Sequence, residues 1–369
     1  MTNTATNSCP TATINHAALR HNLARVKTIV PHSRIWAVVK ADAYGHGAAE
    51  VAQTLAADGF AVARLSEAKT LRRTETKRPI LILGGVYSAT ALVEAATLNC
   101  ELAIHNAEQA EMLLQADLAQ PIKIWLKINT GMNRLGLNLN AVAYWLVKLA
   151  SCKNVQGQPQ LMTHLANADD LNDNSTNVQC QRLHSIVGAS GCTTTIGNSA
   201  GILGWSATHS DWVRPGIMLY GISPFNGTTG KHYDLQPVMT LRAPLIAKYH
   251  CATGATVGYA SSYVCSESMP IGVIGIGYGD GYPRHAPFGT PVLLNNQRVP
   301  LIGRVSMDML TVDLRTLPNA RLGMEAVLWG EDLPAEEIAT AAGTIAYQLV
   351  TGVTGRVQRL HLHPTESNL

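Results

Sequence analysis

Over its first two thirds the chain alternates short apolar runs with stretches of helical periodicity. Runs at 35–40, 60–64, 80–83, 101–104, 122–128, 160–164, 193–197 and 213–219 read as strands. Helical patterns lie between most of them: Ala48 to Ala57, Ser66 to Arg73, Ala89 to Thr97, Asn106 to Gln115, Ala141 to Ala150 and Val178 to Val187. Strands separated by helices form parallel β-α-β units, because a parallel pair needs a long crossover. Eight such strands in about 200 residues predict an α/β fold, a closed (β/α)8 TIM barrel. An open doubly wound sheet is the alternative. No Gly-x-Gly-x-x-Gly follows an early strand, which weakens a dinucleotide-binding reading.

Near Asp234 to Pro237 the texture changes. Runs at 238–249, 271–276, 291–294, 299–302, 309–314 and 324–329 are strand-like and separated by turns, and only Ala335 to Ala342 looks helical. The expected organisation is a barrel over residues 1–236 and a mostly β domain over 237–369. Thr11 to Asn15 is strand-like yet precedes the barrel. It could pair with the C-terminal sheet, with Ala17 to Thr28 as a helix leading into the barrel.

The 369 residues are 46% apolar, enough for a sizeable core. Charged residues make up 14%, the formal net charge is +3, and no basic run marks a nucleic-acid surface. No apolar run approaches a membrane span. Met1 to Pro10 is polar and lacks the regions of a secretory signal. The seven cysteines form no Cys-x-x-Cys pair. They read as reduced thiols of a cytoplasmic protein, with no disulfide frame and no metal site.

In Ala-Val-Val-Lys-Ala-Asp-Ala-Tyr-Gly-His-Gly (37–47) an apolar strand runs into Lys40. Desolvation there favours the neutral amine, which can act as a base or form a Schiff base. In barrels of this type chemistry sits at the C-terminal ends of the strands. Arg134 lies past the fifth strand, His164 ends the sixth, Asn198 and Ser199 follow the seventh, and Arg214, Gly216 and Ile217 lie in the eighth. The loops after the last two strands often hold a phosphate. Ser199 and the amides near Gly216 suit that role, although a serine there also suits a helix N-cap. A phosphate site together with a Schiff-base lysine points to pyridoxal 5'-phosphate.

Across nearly its whole length the sequence resembles the alanine racemase family, pyridoxal-phosphate enzymes built as a barrel plus a β domain. The resemblance rests on residues 38–47, on Thr-Gly-Met-Asn-Arg-Leu-Gly (130–136) and on Val-Arg-Pro-Gly-Ile-Met-Leu-Tyr-Gly (213–221). The C-terminal part adds Val-Gly-Tyr (257–259), Ile-Gly-Tyr-Gly-Asp-Gly-Tyr-Pro-Arg (276–284) and Gly-Arg-Val-Ser-Met-Asp (303–308).

The resemblance implies interconversion of L- and D-alanine by two bases through an external aldimine. Lys40 would carry the cofactor and serve one face of Cα, and Tyr259 would serve the other. It also implies a homodimer with shared active sites, Tyr259 and Met307 coming from the partner subunit. Tyr44, Ser199, Gly216 and Ile217 would hold the phosphate, with Asn198 beside them. Arg214 would face the pyridine nitrogen, and His164 would orient Arg214. Arg134 would contact the cofactor's phenolic oxygen and the substrate carboxylate, which the Met307 amide would also bind. Tyr278 would line the active-site entrance, with Asp169, Arg284 and Arg304 further out. Lys127 matches a lysine that carries a carbamate in several members.

Four positions depart from the pattern. Asn129 replaces an aspartate, Ser306 a frequent cysteine, Ala260 a common glycine and Gly355 a tyrosine. A broader-specificity racemase, a decarboxylase of the same architecture and a non-catalytic pyridoxal-phosphate carrier are the rival readings. The first is often exported, the second places a glutamate where Arg214 stands, and the third typically lacks the β domain. The sequence leaves open whether D-alanine is made for peptidoglycan or degraded.

Overall fold

The short apolar runs of the first two thirds become parallel strands because nearly every residue in them is buried, which suits a sheet covered on both faces. The computed structural model describes residues 9–74 and 77–363. Residues 1–8, which bear on the polar N-terminal segment read above, lie outside them. The first strand, β1 (Thr11–Asn15), stands apart from the barrel. The barrel strands are β2 (Arg34–Val38), β3 (Gly59–Val62), β4 (Ile80–Ile82), β5 (Cys100–Ile104), β6 (Ile124–Lys127), β7 (Gln160–Met162), β8 (Thr194–Thr195) and β9 (Trp212–Val213). They pair in sequence order and close between β9 and β2.

Three tryptophans fill the barrel interior. Trp36 stacks on Trp212 with ring centroids 4.4 Å apart, and Trp125 meets both edge-on from the opposite wall at 6.2 and 6.3 Å. A Cβ at Gly59 would lie 2.3 Å from the Trp36 ring, so β3 needs a glycine beside it. Side chains two apart on a strand share a face. That parity sets Lys127 above Trp125 and Arg214 above Trp212, at the C-terminal mouth of the barrel.

The last barrel strand is shorter than the sequence suggests. Pro215 lacks a donor, β9 ends at Val213, and Ile217–Tyr220 is a 3-10 turn. Lys40 and His164 lie two residues beyond β2 and β7 rather than on their last residues.

The contact pattern divides the chain into two units. One comprises Arg20–Leu219 and Pro224–Asn226, the other, among the described residues, those up to Leu19, Tyr220–Ser223 and those from Gly227 onward. In the second unit a sheet runs through β10 (Met239–Cys251), β13 (Met269–Ile274), β14 (Pro291–Leu294), β15 (Gln297–Ile302), β16 (Leu310–Asp313), β17 (Glu325–Trp329) and β18 (Gln358–Leu362). β1 lies between β10 and β18, and a two-strand ribbon of β11 (Thr256–Val257) and β12 (Tyr263–Val264) branches from the loop after β10. A second helix, Ala346–Gly352, follows Ala335–Ala341. Sequence alone shows only the first, because the second ends in Val350, Thr351 and Gly352, all weaker helix formers.

Candidate active site

Lys40 opens an unusual turn. Ala41, Asp42, Ala43 and Tyr44 all lie in the left-handed region, with φ between 52° and 54°. Each such residue carrying a Cβ costs about 1–2 kcal/mol. A run of four persists only where its surroundings enforce it, and such strain clusters at functional sites. The turn buries Tyr44 and brings it to Gly216. A Cβ at Gly216 would lie 2.5 Å from the Tyr44 hydroxyl oxygen. Burial pushes the Tyr44 phenol up, so it stays protonated and can donate.

Ser199 closes on the same place. Its Oγ accepts from the Gly216 and Met218 amides at 2.9 and 3.3 Å, which leaves its proton to donate elsewhere. The N-cap of Ser199–Gly204 is Asn198, whose Oδ1 accepts from Gly201 N–H at 2.8 Å. Ser199 is therefore not spent on capping. Ile217, buried, follows Gly216 directly.

The Arg214 guanidinium is fixed by three acceptors. It donates to Thr195 Oγ1 and the Thr163 carbonyl at 2.6 Å each, and to the Ile196 carbonyl at 2.9 Å. No hydrogen bond joins it to His164 among the described residues; Thr195 and the Thr163 and Ile196 carbonyls are its acceptors. Threonine is ordinary on a strand, and sequence gave no signal for Thr195 or Thr163. Burial pulls Arg214 down to about 10, still cationic at neutral pH.

Burial, then Arg214, Lys127, Arg134 and Lys40, hold His164 well below the usual histidine range, so its ring is neutral. Lys40 is lowered by burial, Arg134 and Arg214, against an opposing effect of Glu67. Lys127, buried, is pulled down to about 8 by desolvation and by Arg214, Arg134 and Lys40.

Gln179 is a further residue that sequence reasoning missed. Its Nε2 donates to Thr130 Oγ1 at 3.1 Å and to the His164 carbonyl at 3.0 Å, and its Oε1 accepts from Ala166. It thus joins the segment leading to Arg134 with the segment carrying His164. Arg134 itself is exposed. Asn129 builds the Arg134 loop: its Oδ1 accepts from the Gly131 and Asn133 amides, and its Nδ2 donates to Asn133 Oδ1 at 3.0 Å. An aspartate could reproduce the first two bonds but not the third. Asp169 is exposed on the loop after β7.

The other predicted residues belong to the β unit. Tyr259 stands 68% exposed in a 3-10 turn beyond β11, between Gly258 and Ala260, both left-handed. Ala260 adopts φ 60°, which explains why a glycine suits that position. Tyr278 donates its amide to the Ser306 carbonyl at 3.0 Å, and Gly279 to the Met307 carbonyl at 2.8 Å. Met307 donates its own amide to none of the described residues. Arg284 lies 6.0 Å from the Tyr278 ring centroid. Arg304 is exposed, its backbone against Gly258. A Cβ at Gly355 would meet nothing within 4 Å.

The barrel mouth therefore gathers a poised lysine, a fixed arginine that can only donate, and two hydroxyl donors converging at a glycine. Those donors fit a phosphate, and Lys40 fits an aldehyde carbon. Fold and site together define a barrel enzyme of the pyridoxal-phosphate-dependent class.

Comparison with known proteins places the chain more narrowly. Residues 14–224 match the alanine racemase N-terminal domain and residues 238–361 the alanine racemase C-terminal domain. Alanine racemase of Aeromonas hydrophila is 50% identical over 94% of this chain and 97% of its own length. That of Nitrosococcus oceani is 48% identical over 95% and 98%. The crystal structure of the biosynthetic alanine racemase from Pseudomonas aeruginosa superposes with a TM-score of 0.94 at 42% identity, covering 96% of this chain and 99% of that one. The chain belongs to the alanine racemase family. It is a pyridoxal-phosphate-dependent isomerase acting on alanine. Among the described residues no helix is long and apolar enough to cross a membrane.

Proposed function

We propose that the chain racemises alanine with two bases, Lys40 and Tyr259, in a homodimer whose sites are shared. The exposure of Tyr259 carries this reading. A base must face substrate, and a tyrosine 68% exposed on one chain is free to face the barrel of another. Racemisation requires one proton to leave one face of Cα and another to arrive on the opposite face. A single rigid base serves one face only. Lys40 holds the cofactor and exchanges the Cα proton of D-alanine. Tyr259 exchanges that of L-alanine.

The bound cofactor supplies the electron withdrawal that acidifies Cα–H. Tyr44, Ser199, Asn198, Gly216 and Ile217 hold its phosphate. Arg214 donates to the ring nitrogen and keeps it unprotonated, since a guanidinium has no proton to give up near neutral pH. Arg134 and the partner's Met307 amide bind the substrate carboxylate. Tyr278 lines the active-site entrance, with Asp169, Arg284 and Arg304 outside it.

Lys127 carries a carbamate in this reading. Among the described residues no carboxylate pairs with it, and three cations lower it. Its neutral amine, the form that adds carbon dioxide, is accordingly accessible. The cytoplasm and a supply of D-alanine for peptidoglycan are the proposed setting. The support is the 42%-identical relative whose own name is biosynthetic.

Tyr259→Phe should keep the cofactor attached yet lose deuterium exchange at Cα of L-alanine by roughly a hundredfold or more. Mixing Lys40→Ala with Tyr259→Phe should restore racemisation, because a mixed dimer holds one intact pair. Wild-type exchange of L-alanine in Tyr259→Phe would refute the two-base assignment. Absence of rescue in subunits shown to have exchanged would refute the sharing.

A further inference from the structure

Glu67 approaches the Lys40 turn from the neighbouring β/α unit. It lies in the first turn of helix Leu65–Arg73, just after β3. Its Oε2 accepts from the Ala63 and Arg64 amides at 2.8 and 3.0 Å, an ordinary helix-capping arrangement. Capping needs only that oxygen. Its Oε1 reaches across to accept from the Ala41 amide at 2.7 Å. Ala41 is the residue after Lys40 and the first of the left-handed run. At the other end, Asp42 Oδ1 accepts from Ala48 N–H at 2.8 Å. The strained run is thus held between two carboxylates, and one of them comes from 26 residues away.

We propose that Glu67 is a positioning residue for Lys40, pinning the left-handed turn to the end of β3 so that the lysine amine and the Tyr44 hydroxyl are presented together. The proposal rests on Lys40 being the cofactor lysine. Glu67 also has an electrostatic effect on that amine. The other charged or titratable groups facing Lys40 are Arg134, Arg214, Lys127 and His164, and Glu67 is the one that favours the ammonium form.

Glu67→Gln keeps the size and one acceptor but removes the charge. Pyridoxal phosphate is added to the cofactor-stripped enzyme over a neutral-to-alkaline pH series. The linkage is trapped with borohydride, and Lys40 labelling is read by peptide mass. The pH midpoint of labelling should fall in Glu67→Gln, because the opposing carboxylate is gone. Dissociation of untrapped cofactor should accelerate roughly tenfold, the scale of one charge-assisted hydrogen bond. Glu67→Asp keeps the charge but is a methylene too short to span both sides. It should retain a midpoint near wild type while still losing cofactor faster. An unchanged midpoint and unchanged dissociation in a Glu67→Gln protein that melts like wild type would overturn the proposal and leave Glu67 as a helix cap. Labelling of some lysine other than Lys40 in the wild type would instead overturn the underlying assignment of Lys40.

Discussion

Gly216→Ala tests the phosphate cradle with a single methyl group. The new Cβ would lie 2.5 Å from the Tyr44 hydroxyl oxygen and 3.2 Å from the ring carbon that bears it. Even close carbon–oxygen contacts keep about 3.3 Å, so the ring must retreat by roughly 1 Å. Tyr44 is only 7% exposed, in an interior that yields little, and the retreat carries its hydroxyl away from the cradle. A hydrogen bond to a charged partner contributes about 1.5–3 kcal/mol. Losing it should raise the dissociation constant for pyridoxal phosphate roughly 10- to 150-fold. Tyr44→Phe removes the same bond without crowding and should fall in the same range.

The double variant is the decisive arm. Once the hydroxyl is gone, the methyl has less to displace, and the two losses should be far from additive. Fluorescence titration of the cofactor-stripped proteins measures all four constants, and thermal melts show which variants remain folded. Overpacking can itself cost about 1–3 kcal/mol of stability, so the melt matters. A folded Gly216→Ala protein that binds within about twofold of wild type would refute the reasoning, since one such hydrogen bond corresponds to at least about tenfold. So would a double variant showing the full sum of the two single losses.

Two further outcomes follow from the electrostatics of the barrel mouth. Arg214→Glu should protonate the ring nitrogen and raise transamination, seen as pyruvate released from alanine; pyruvate at the wild-type level would rule out the role given to Arg214. Lys127 titrates near 8 in the folded chain against 10.5 ordinarily, so between those values the unfolded chain holds the extra proton and stability rises with pH. The shift of about 2.5 units corresponds to about 3 kcal/mol. In carbon-dioxide-free buffer the cofactor-stripped wild type should gain up to that much relative to Lys127→Met between pH 8 and 10.5, by chemical denaturation. Parallel pH profiles for the two proteins would contradict it.

The barrel was legible because it is written in local periodicity. Runs such as 80–82 and 102–104 are apolar throughout, and the stretches between them repeat every three to four residues. The site was legible in its residue types and its motif order. The conformation that presents Lys40 was not. Ala41, Ala43 and Tyr44 belong to types that rarely turn left-handed, and a group that helps hold the turn, Glu67, comes from another β/α unit. Arg214 was visible, but its restraints were not, because Thr195 and the Thr163 and Ile196 carbonyls come from other strands. Local sequence reports propensity, and these features are set by contacts between β/α units.

The charge balance at the mouth ties the departures from the family pattern together. Lys40, Lys127, Arg134 and Arg214 are coupled through their charges, and none forms an ion pair with a carboxylate among the described residues. His164 avoids adding a fifth charge by staying neutral. Arg214 is held by neutral acceptors and Arg134 is exposed, so the two lysines are the cations that gain most from an anion or from losing a proton. The cofactor phosphate, the substrate carboxylate and a carbamate on Lys127 are the three anions the proposed chemistry brings. An aspartate at position 129 would have supplied a fixed negative charge near this group. Asn129 keeps the loop geometry and withholds the charge, since its side-chain bonds are all spent on the turn that presents Arg134. On the proposed reading, a carbamate would remove the Lys127 cation and supply an anion from the protein itself to face Arg134. On that ground it should matter more here than in a relative that keeps the aspartate.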